Sequence, residues 1–267
     1  MIRFPNGKIN IGLSVVEKRP DGYHNIETVF YPLAIEDALE IVPAPDNITR
    51  LHLSGTTLHG NESENLVLKA YHLLAQQFQL PPLHFYLHKI IPPEAGLGGG
   101  SSNAAHALKM LNDKLKLSLS KIQMYDFAEK IGADCPFFIE NTPVFASEKG
   151  NILKKIELDL SAYKFLVVKP SCSVSTKEAY SNIVPKKARC PLSEAIKQPI
   201  HEWKSLIFND FEPFAFKKHP KIQHIKETLY ENGAIYASMS GSGSAVYGIF
   251  NEIPTVSFSK EYITFQI

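Results

Sequence analysis

A mixed helix-and-strand protein, built as two lobes or as one large α/β unit, is the fold class this sequence predicts, and three observations predict it. The chain has 267 residues, more than one average domain. Strict two-residue alternation and helical spacing of apolar residues both recur along it. Hydrophobic residues make up 44% and charged residues 21%, the balance of a globular chain rather than a disordered one.

The elements follow in order. "KINIGLSV" (Lys8–Val15) alternates throughout. Ile9, Ile11, Leu13 and Val15 point one way, and Lys8, Asn10, Gly12 and Ser14 the other, the pattern of a half-buried strand. Lys8 and Asn10 then share the polar face, about 7 Å apart. "RPDG" (Arg19–Gly22) is a turn, because proline presets φ and glycine supplies a positive φ. Ile26–Leu33 reads as a returning antiparallel strand. Glu64–Phe78 reads as a helix with Leu66, Ala70, Leu73, Leu74 and Gln77 near one stripe, and Leu83–Ile90 as a strand.

The spacing of Ala104, Ala107, Leu108, Leu111 and Leu115 predicts a helix starting near Ser101. Ser120–Gly132 predicts another, with Ser120 as N-cap and Gly132 just past the end. Tyr163–Pro170 fits a buried strand stopped by proline, and Lys186–Gln198 an irregular surface loop. Ile222–Ala234 fits a helix ending at Gly233, and Ser238–Phe250 a second glycine-serine loop feeding a strand. A boundary near residues 150–160 follows from length.

Net charge is +1, so no overall field attracts nucleic acid or anionic lipid. Cys135, Cys172 and Cys190 are odd in number and lack CxxC spacing, which argues against a disulfide framework or a zinc site. No HExxH pattern occurs, and no apolar run reaches the roughly 18 residues of a membrane span. The N-terminal stretch is interrupted by Asn10, Gly12 and Ser14 and does not read as a secretory signal, so the cytoplasm is the expected location.

"PPEAGLGGGSSNAAHAL" (Pro92–Leu108) places Gly96, Gly98, Gly99 and Gly100 between a strand and a helix. The first N–H groups of a helix lack internal partners and carry partial positive charge, and glycines let a phosphate approach them. Ser101 and Ser102 can add hydroxyl donors or a metal ligand. Walker A fails here, since no lysine follows the glycines, and GxGxxG fails at Ser101 and again at Val246 in the second loop. The competing reading is a flexible connector with Ser101 as N-cap.

Asp134 in "GADCPFF" is either the N-cap of a short helix or a proton acceptor beside a phosphate cradle. Lys8 is either solvated or electrostatic in role. Tyr23 and His24 beside a tight turn, and Thr176 and Tyr180 four residues apart, fit packing as well as recognition.

Together, "KINIGLSVVEKRPDGYHNIETVF", "PPEAGLGGGSSNAAHALKMLN", "GADCPFF" and "GSGSAVYGIF" resemble the signature segments of the galactokinase–homoserine kinase–mevalonate kinase–phosphomevalonate kinase (GHMP) superfamily. "KRPDGYH" narrows the resemblance to members acting on a cytidine-diphosphate alcohol. The resemblance departs at Asn6–Gly7, where Pro-Ala is usual, and at Cys135, where valine is more frequent; both bear on loop geometry rather than on chemical groups.

This resemblance implies an α+β, two-lobed fold. Residues 1–155 would be an ATP-binding lobe like the second domain of ribosomal protein S5, and residues 156–267 a ferredoxin-like lobe contributing to the substrate site. It implies transfer of the ATP γ-phosphoryl group to the C2 hydroxyl of 4-(cytidine 5'-diphospho)-2-C-methyl-D-erythritol, in non-mevalonate isoprenoid precursor synthesis. It assigns the phosphates to Pro92, Gly96, Leu97, Gly98, Gly99, Gly100, Ser101, Ser102 and Asn103, with Ser101 or Ser102 for Mg²⁺, and the adenine to Asn65 and Leu66.

By the same resemblance Asp134 takes the hydroxyl proton and Lys8 keeps it ionised. Asn10, Tyr23, His24, Thr176, Tyr180, Gly241, Ser242 and Gly243 bind substrate, with the base held between aromatic rings at Tyr23 and Tyr180. The partners implied are ATP and the cytidine-diphosphate alcohol, without nucleic acid or membrane; the oligomeric state stays open. The rival readings are another superfamily kinase, of homoserine or mevalonate type, and an inactive nucleotide-binding relative.

Overall fold

The computed structural model describes residues 1–57, 61, 64–186 and 190–267. The strands are β1 (Ile2–Arg3), β2 (Asn6–Lys18), β3 (His24–Glu36), β4 (Ala38–Pro43), β5 (Arg50–Gly55), β6 (Leu83–Lys89), β7 (Val144–Ser147), β8 (Ile152–Lys155), β9 (Lys164–Lys169), β10 (Tyr236–Met239), β11 (Val246–Phe250) and β12 (Ile263–Gln266). The helices are α1 (Leu66–Ala75), α2 (Gly99–Leu115), α3 (Lys121–Ile131), α4 (Phe137–Glu140), α5 (Thr176–Ser181), α6 (Leu192–Ala195), α7 (Trp203–Leu206), α8 (Glu212–Lys218) and α9 (Pro220–Glu231). This mixture is the α+β class expected.

The residues divide into two compact units that interleave along the chain. The first comprises Met1–Gly7, Pro32–Pro93 and Gly98–Thr142. Its sheet has the order β1-β4-β6-β5, antiparallel except for the parallel β5–β6 pair. Leu39, Ile41, Phe85 and Leu87 of that sheet pack on Val67 and Leu74 of α1, Leu108 and Leu111 of α2, and Phe127 of α3. The alternation of β6 makes this possible, since Leu83, Phe85 and Leu87 share one face.

The second unit comprises Lys8–Tyr31, Glu94–Leu97 and Pro143–Ile267. It holds one sheet of order β2-β3-β7-β8 and one of order β10-β11-β9-β12. Leu13 and Val15 of β2 join Val168, Phe211, Ile222, Leu229, Met239 and Val246 in its core.

Several expectations change in detail. The Lys8–Val15 strand is not half-buried: Lys8 and Asn10 are each 3% exposed, like the apolar face. Tyr247 from β11 and Ser240 from the second glycine loop bind the backbone carbonyl and amide of Asn10, and the Phe30 ring lies against Lys8. Helix α2 begins at Gly99 rather than near Ser101, because Gly98 turns the chain at φ +70° ahead of it.

The Glu64–Phe78 helix is shorter, running from Leu66 to Ala75, since the Asn65 side chain caps it from Val67 N at 3.0 Å. Gly132 ends α3 in extended backbone rather than a left-handed cap. The Lys186–Gln198 loop contains the short helix α6, while its residues 187–189 lie outside the described residues. Among the described residues, no helix is long and apolar enough to cross a membrane.

Candidate active site

Gly98, Gly99 and Gly100 belong to the first unit. Gly98 occupies the N-cap of α2 in the left-handed region, and no side chain caps this helix end. A first turn of glycine and serine thus presents backbone N–H groups without a competing acceptor, the arrangement that binds anions. Gly100 is exposed, Gly98 and Ser101 are half-buried, and Pro92 is buried at the loop's entry. Ser101 lies inside this first turn, so it is not the N-cap of a connector.

The loop's approach to α2 is held by a buried ionic cluster. Asp37 is 0% exposed and Lys89 3%. Asp37 Oδ1 accepts the N–H groups of Ile90 at 2.7 Å and Ile91 at 2.9 Å, and its Oδ2 accepts from Lys89 Nζ and, at 2.8 Å, from Asn103 Nδ2. Lys89 Nζ also donates to Asn103 Oδ1 at 2.9 Å. One carboxylate therefore fixes both the strand leaving β6 and the second turn of α2. Burial lowers the Lys89 pKa, and Asp37 opposes that shift. Both ends of the Asn103 amide are engaged in this cluster.

Asp134 sits half-buried in the turn between α3 and α4. Pro136, not Asp134, stands at the N-cap of α4, so capping does not explain the aspartate. Its neighbour Cys135 is buried. Burial pushes the Cys135 thiol up to about 12, which makes it an inert packing group. Asn141 after α4 exchanges two amide hydrogen bonds with Asn6, at 2.7 and 3.1 Å, which gives the departure at Asn6–Gly7 a structural role. Leu66 at the start of α1 lies beside Gly100, where an added Cβ would meet its Cδ1 at 3.7 Å.

The second unit gathers a different set. Lys8 Nζ donates to Asn10 Oδ1 at 2.5 Å and stands 4.9 Å from the centre of the Phe30 ring. The Lys8 amide donates to Leu97 O at 2.9 Å. Asn10 N donates to Ser240 Oγ at 3.1 Å, and Ser240 Oγ donates on to Gly96 O at 2.7 Å. Gly96 has φ +76°, and a Cβ there would stand 2.0 Å from Ser240 O, so only glycine fits. Gly241 approaches Asn10 similarly, with a Cβ position 3.1 Å from Asn10 Oδ1. Asn209, 2% exposed, ties the second loop from behind by donating to Met239 O and Gly241 O, both at 2.8 Å.

Thr176 Oγ1 and Ser242 Oγ are 2.8 Å apart, bringing α5 to that loop. The Tyr180 ring stacks on His24 with centroids 5.0 Å apart and meets Phe211 edge-on at 4.9 Å. Tyr23 is 63% exposed and has Lys149 Nζ 5.1 Å over its ring. His24 is therefore a ring on which Tyr180 stacks. Burial lowers the His24 pKa, with Lys18 adding to the effect, so the ring favours its neutral form.

Asp37, Lys89, Thr28, Asn209 and Ser240 were not singled out from the sequence. Lys89 did carry a signal, since it continues the inward register of Leu83, Phe85 and Leu87 and a charge there must be paired. Among the described residues no three His, Cys, Asp or Glu side chains converge on a cation site. Mg²⁺ takes one or two protein oxygens, usually carboxylate, beside phosphates and water. The half-buried Ser101 hydroxyl in the first turn of α2 suits such a place, whereas Ser102, 0% exposed beside His106, would have to turn its hydroxyl outward.

The chain matches the GHMP kinases N terminal domain over residues 65–141 and the GHMP kinases C terminal domain over residues 192–255. It is 55% identical, over 94% of this chain and 92% of the relative, to a Bacteroides thetaiotaomicron protein named 4-diphosphocytidyl-2-C-methyl-D-erythritol kinase. A Cytophaga hutchinsonii protein of the same name is 50% identical, over 95% of this chain and 94% of the relative. A crystal structure of 4-(cytidine 5'-diphospho)-2C-methyl-D-erythritol kinase superposes with a TM-score of 0.80 at 30% identity, over 93% of this chain and 90% of that one. The Methanococcus jannaschii mevalonate kinase shares the fold, with a TM-score of 0.68 at 16% identity over 94% of this chain and 90% of that one. The chain is thus a small-molecule kinase that uses ATP. It belongs to the GHMP kinase superfamily, within its 4-diphosphocytidyl-2-C-methyl-D-erythritol kinase family.

Proposed function

We propose that this kinase transfers the γ-phosphoryl group of ATP to the C2 hydroxyl of 4-(cytidine 5'-diphospho)-2-C-methyl-D-erythritol, giving the 2-phosphate and ADP in non-mevalonate isoprenoid precursor synthesis. The observation that carries this reading is the uncapped, glycine-led start of α2 in a chain 55% identical to a protein named for that kinase.

Phosphoryl transfer rests on positioning and charge neutralisation. The backbone from Gly96 to Ser102 cradles the β- and γ-phosphates, with Pro92 setting its entry and Asn103 anchoring its exit through Asp37 and Lys89. Asn65 and Leu66 at the start of α1 border the adenine. Asp134 accepts the proton of the attacking hydroxyl. Lys8, held by Asn10, offsets the charge that develops as the phosphoryl group moves.

Tyr23, His24 and Tyr180 supply aromatic faces for the cytosine, and Thr176, Gly241, Ser242 and Gly243 line the second loop beside it. Mg²⁺, when bound through Ser101 or Ser102, neutralises phosphate oxygens. The lobes of this proposal are residues 1–155 and 156–267, its location is the cytoplasm, and it includes no nucleic acid or membrane partner.

A coupled ADP-release assay with Mg-ATP tests it, comparing the cytidine-diphosphate alcohol with homoserine and mevalonate. Turnover confined to the cytidine-diphosphate alcohol is the expected result. Preference for either other alcohol, or none with all three, rejects the reading.

A further inference from the structure

We infer that Thr28 is a positioning residue for Lys8, acting by fixing which end of the Asn10 amide the ammonium meets. The inference rests on the electrostatic role proposed for Lys8.

Thr28 is 0% exposed and has a single hydroxyl hydrogen. That hydrogen goes to Gly12 O at 2.6 Å, a partner that can only accept. Towards Asn10 the threonine therefore offers only lone pairs. The group facing it, 3.0 Å away, must be the amide's NH₂. The Asn10 carbonyl oxygen is then directed at Lys8 Nζ, a group that can only donate.

Turning the amide over would set its oxygen against the threonine's lone pairs and its NH₂ against an ammonium. Both contacts would be repulsive, and Thr28, Asn10 and Lys8 are each 3% exposed or less, so water offers little relief. The Phe30 ring, centred 4.9 Å from Lys8 Nζ, adds an attractive face. The order Gly12, Thr28, Asn10, Lys8 thus transmits a fixed polarity from a strand backbone to the ammonium. Thr28 itself donates to protein and touches no reacting group in this scheme.

Thr28→Val keeps the shape and removes the relay, whereas Thr28→Ser keeps the hydroxyl. With Mg-ATP and the cytidine-diphosphate alcohol, Thr28→Val is expected to lower kcat about tenfold or more, the loss of a hydrogen bond supporting a charge. Both KM values should stay within about twofold, and Thr28→Ser should recover most of kcat. Because Thr28 acts through Asn10, Asn10→Ala/Thr28→Val should be no slower than Asn10→Ala.

Parental kcat in Thr28→Val, or losses that multiply in the double variant, overturns the inference. Lys8→Met separates the two levels. If it is crippled while Thr28→Val is unimpaired, only the positioning role fails; if it keeps parental kcat, the Lys8 role fails and takes this one with it. Thermal unfolding establishes that each variant is folded, and Thr28→Ala carries the same test should Thr28→Val not fold.

Discussion

Asn103 donates its side-chain amide to Asp37 across 2.8 Å, and through that contact the second turn of α2 is joined to the backbone that leaves β6. The glycine stretch lies between those two anchors. A segment with almost no side chains is thus anchored at both ends by a carboxylate, an ammonium and an amide that are all but inaccessible to water.

Breaking this cluster on one side leaves a charge buried alone. Lys89→Met and Asp37→Asn should each cost about 3–5 kcal/mol of folding stability, whereas Asp37→Asn/Lys89→Met should cost much less than the sum. Urea unfolding of the four proteins measures it. Full additivity would sink the account of a coupled pair.

Gly98→Val places a β-branched residue at φ +70° in the turn that opens α2. Binding of a non-hydrolysable ATP analogue, followed by calorimetry, should be abolished while circular dichroism stays parental. Unchanged nucleotide affinity would remove the cradle from the mechanism.

Asp134→Asn keeps the size of the side chain and removes its capacity to take a proton. The expected fall in kcat is about 10²–10⁴-fold, with KM for ATP little changed. Near-parental turnover would mean that another group accepts the hydroxyl proton.

Tyr180→Ala deletes the ring stacked on His24. Loss of one aromatic face costs a bound base about 1–3 kcal/mol, so KM for the cytidine substrate should rise roughly ten- to hundredfold. KM for ATP serves as the internal control. Equal losses for both substrates would assign the tyrosine to packing.

His106 lies buried on α2, its Nδ1 2.9 Å from Ser102 O, and burial lowers its pKa to about 4. Above about pH 6.5 the ring is neutral in both folded and unfolded chains. Between about 6.5 and 4 the unfolded chain binds a proton that the folded chain refuses, so stability falls as pH falls, by about 3 kcal/mol in total. His106→Gln should lose this component, and urea unfolding at pH 7 and pH 4.5 compares the slopes. Parallel pH dependences in the two proteins would refute it.

Local pattern and tertiary context divide the account of this protein between them. Alternation from Lys8 to Val15 was enough to place a strand, and the spacing from Ala104 to Leu115 enough to place a helix, because each is a periodicity of neighbouring residues. The glycine loop and its order between strand and helix were equally legible, as was the turn at Arg19–Gly22. The start of α2 was misplaced by two residues, since glycine's low helix propensity hides a first turn made of it.

Residue pattern was therefore enough for the mixture of helices and strands and for the strand–glycine–helix junction, while the α+β class and the family came through resemblance. Only long-range packing buries Asn10, whose backbone is bound by Ser240 and Tyr247 from the far end of the chain. The same packing turns Asn103 to Asp37 and Lys89 and stacks Tyr180 on His24. The physical reason is common to all of these: hydrogen bonds and ring contacts between distant segments depend on how side chains converge in space, and the order of residues along one segment carries no record of that convergence.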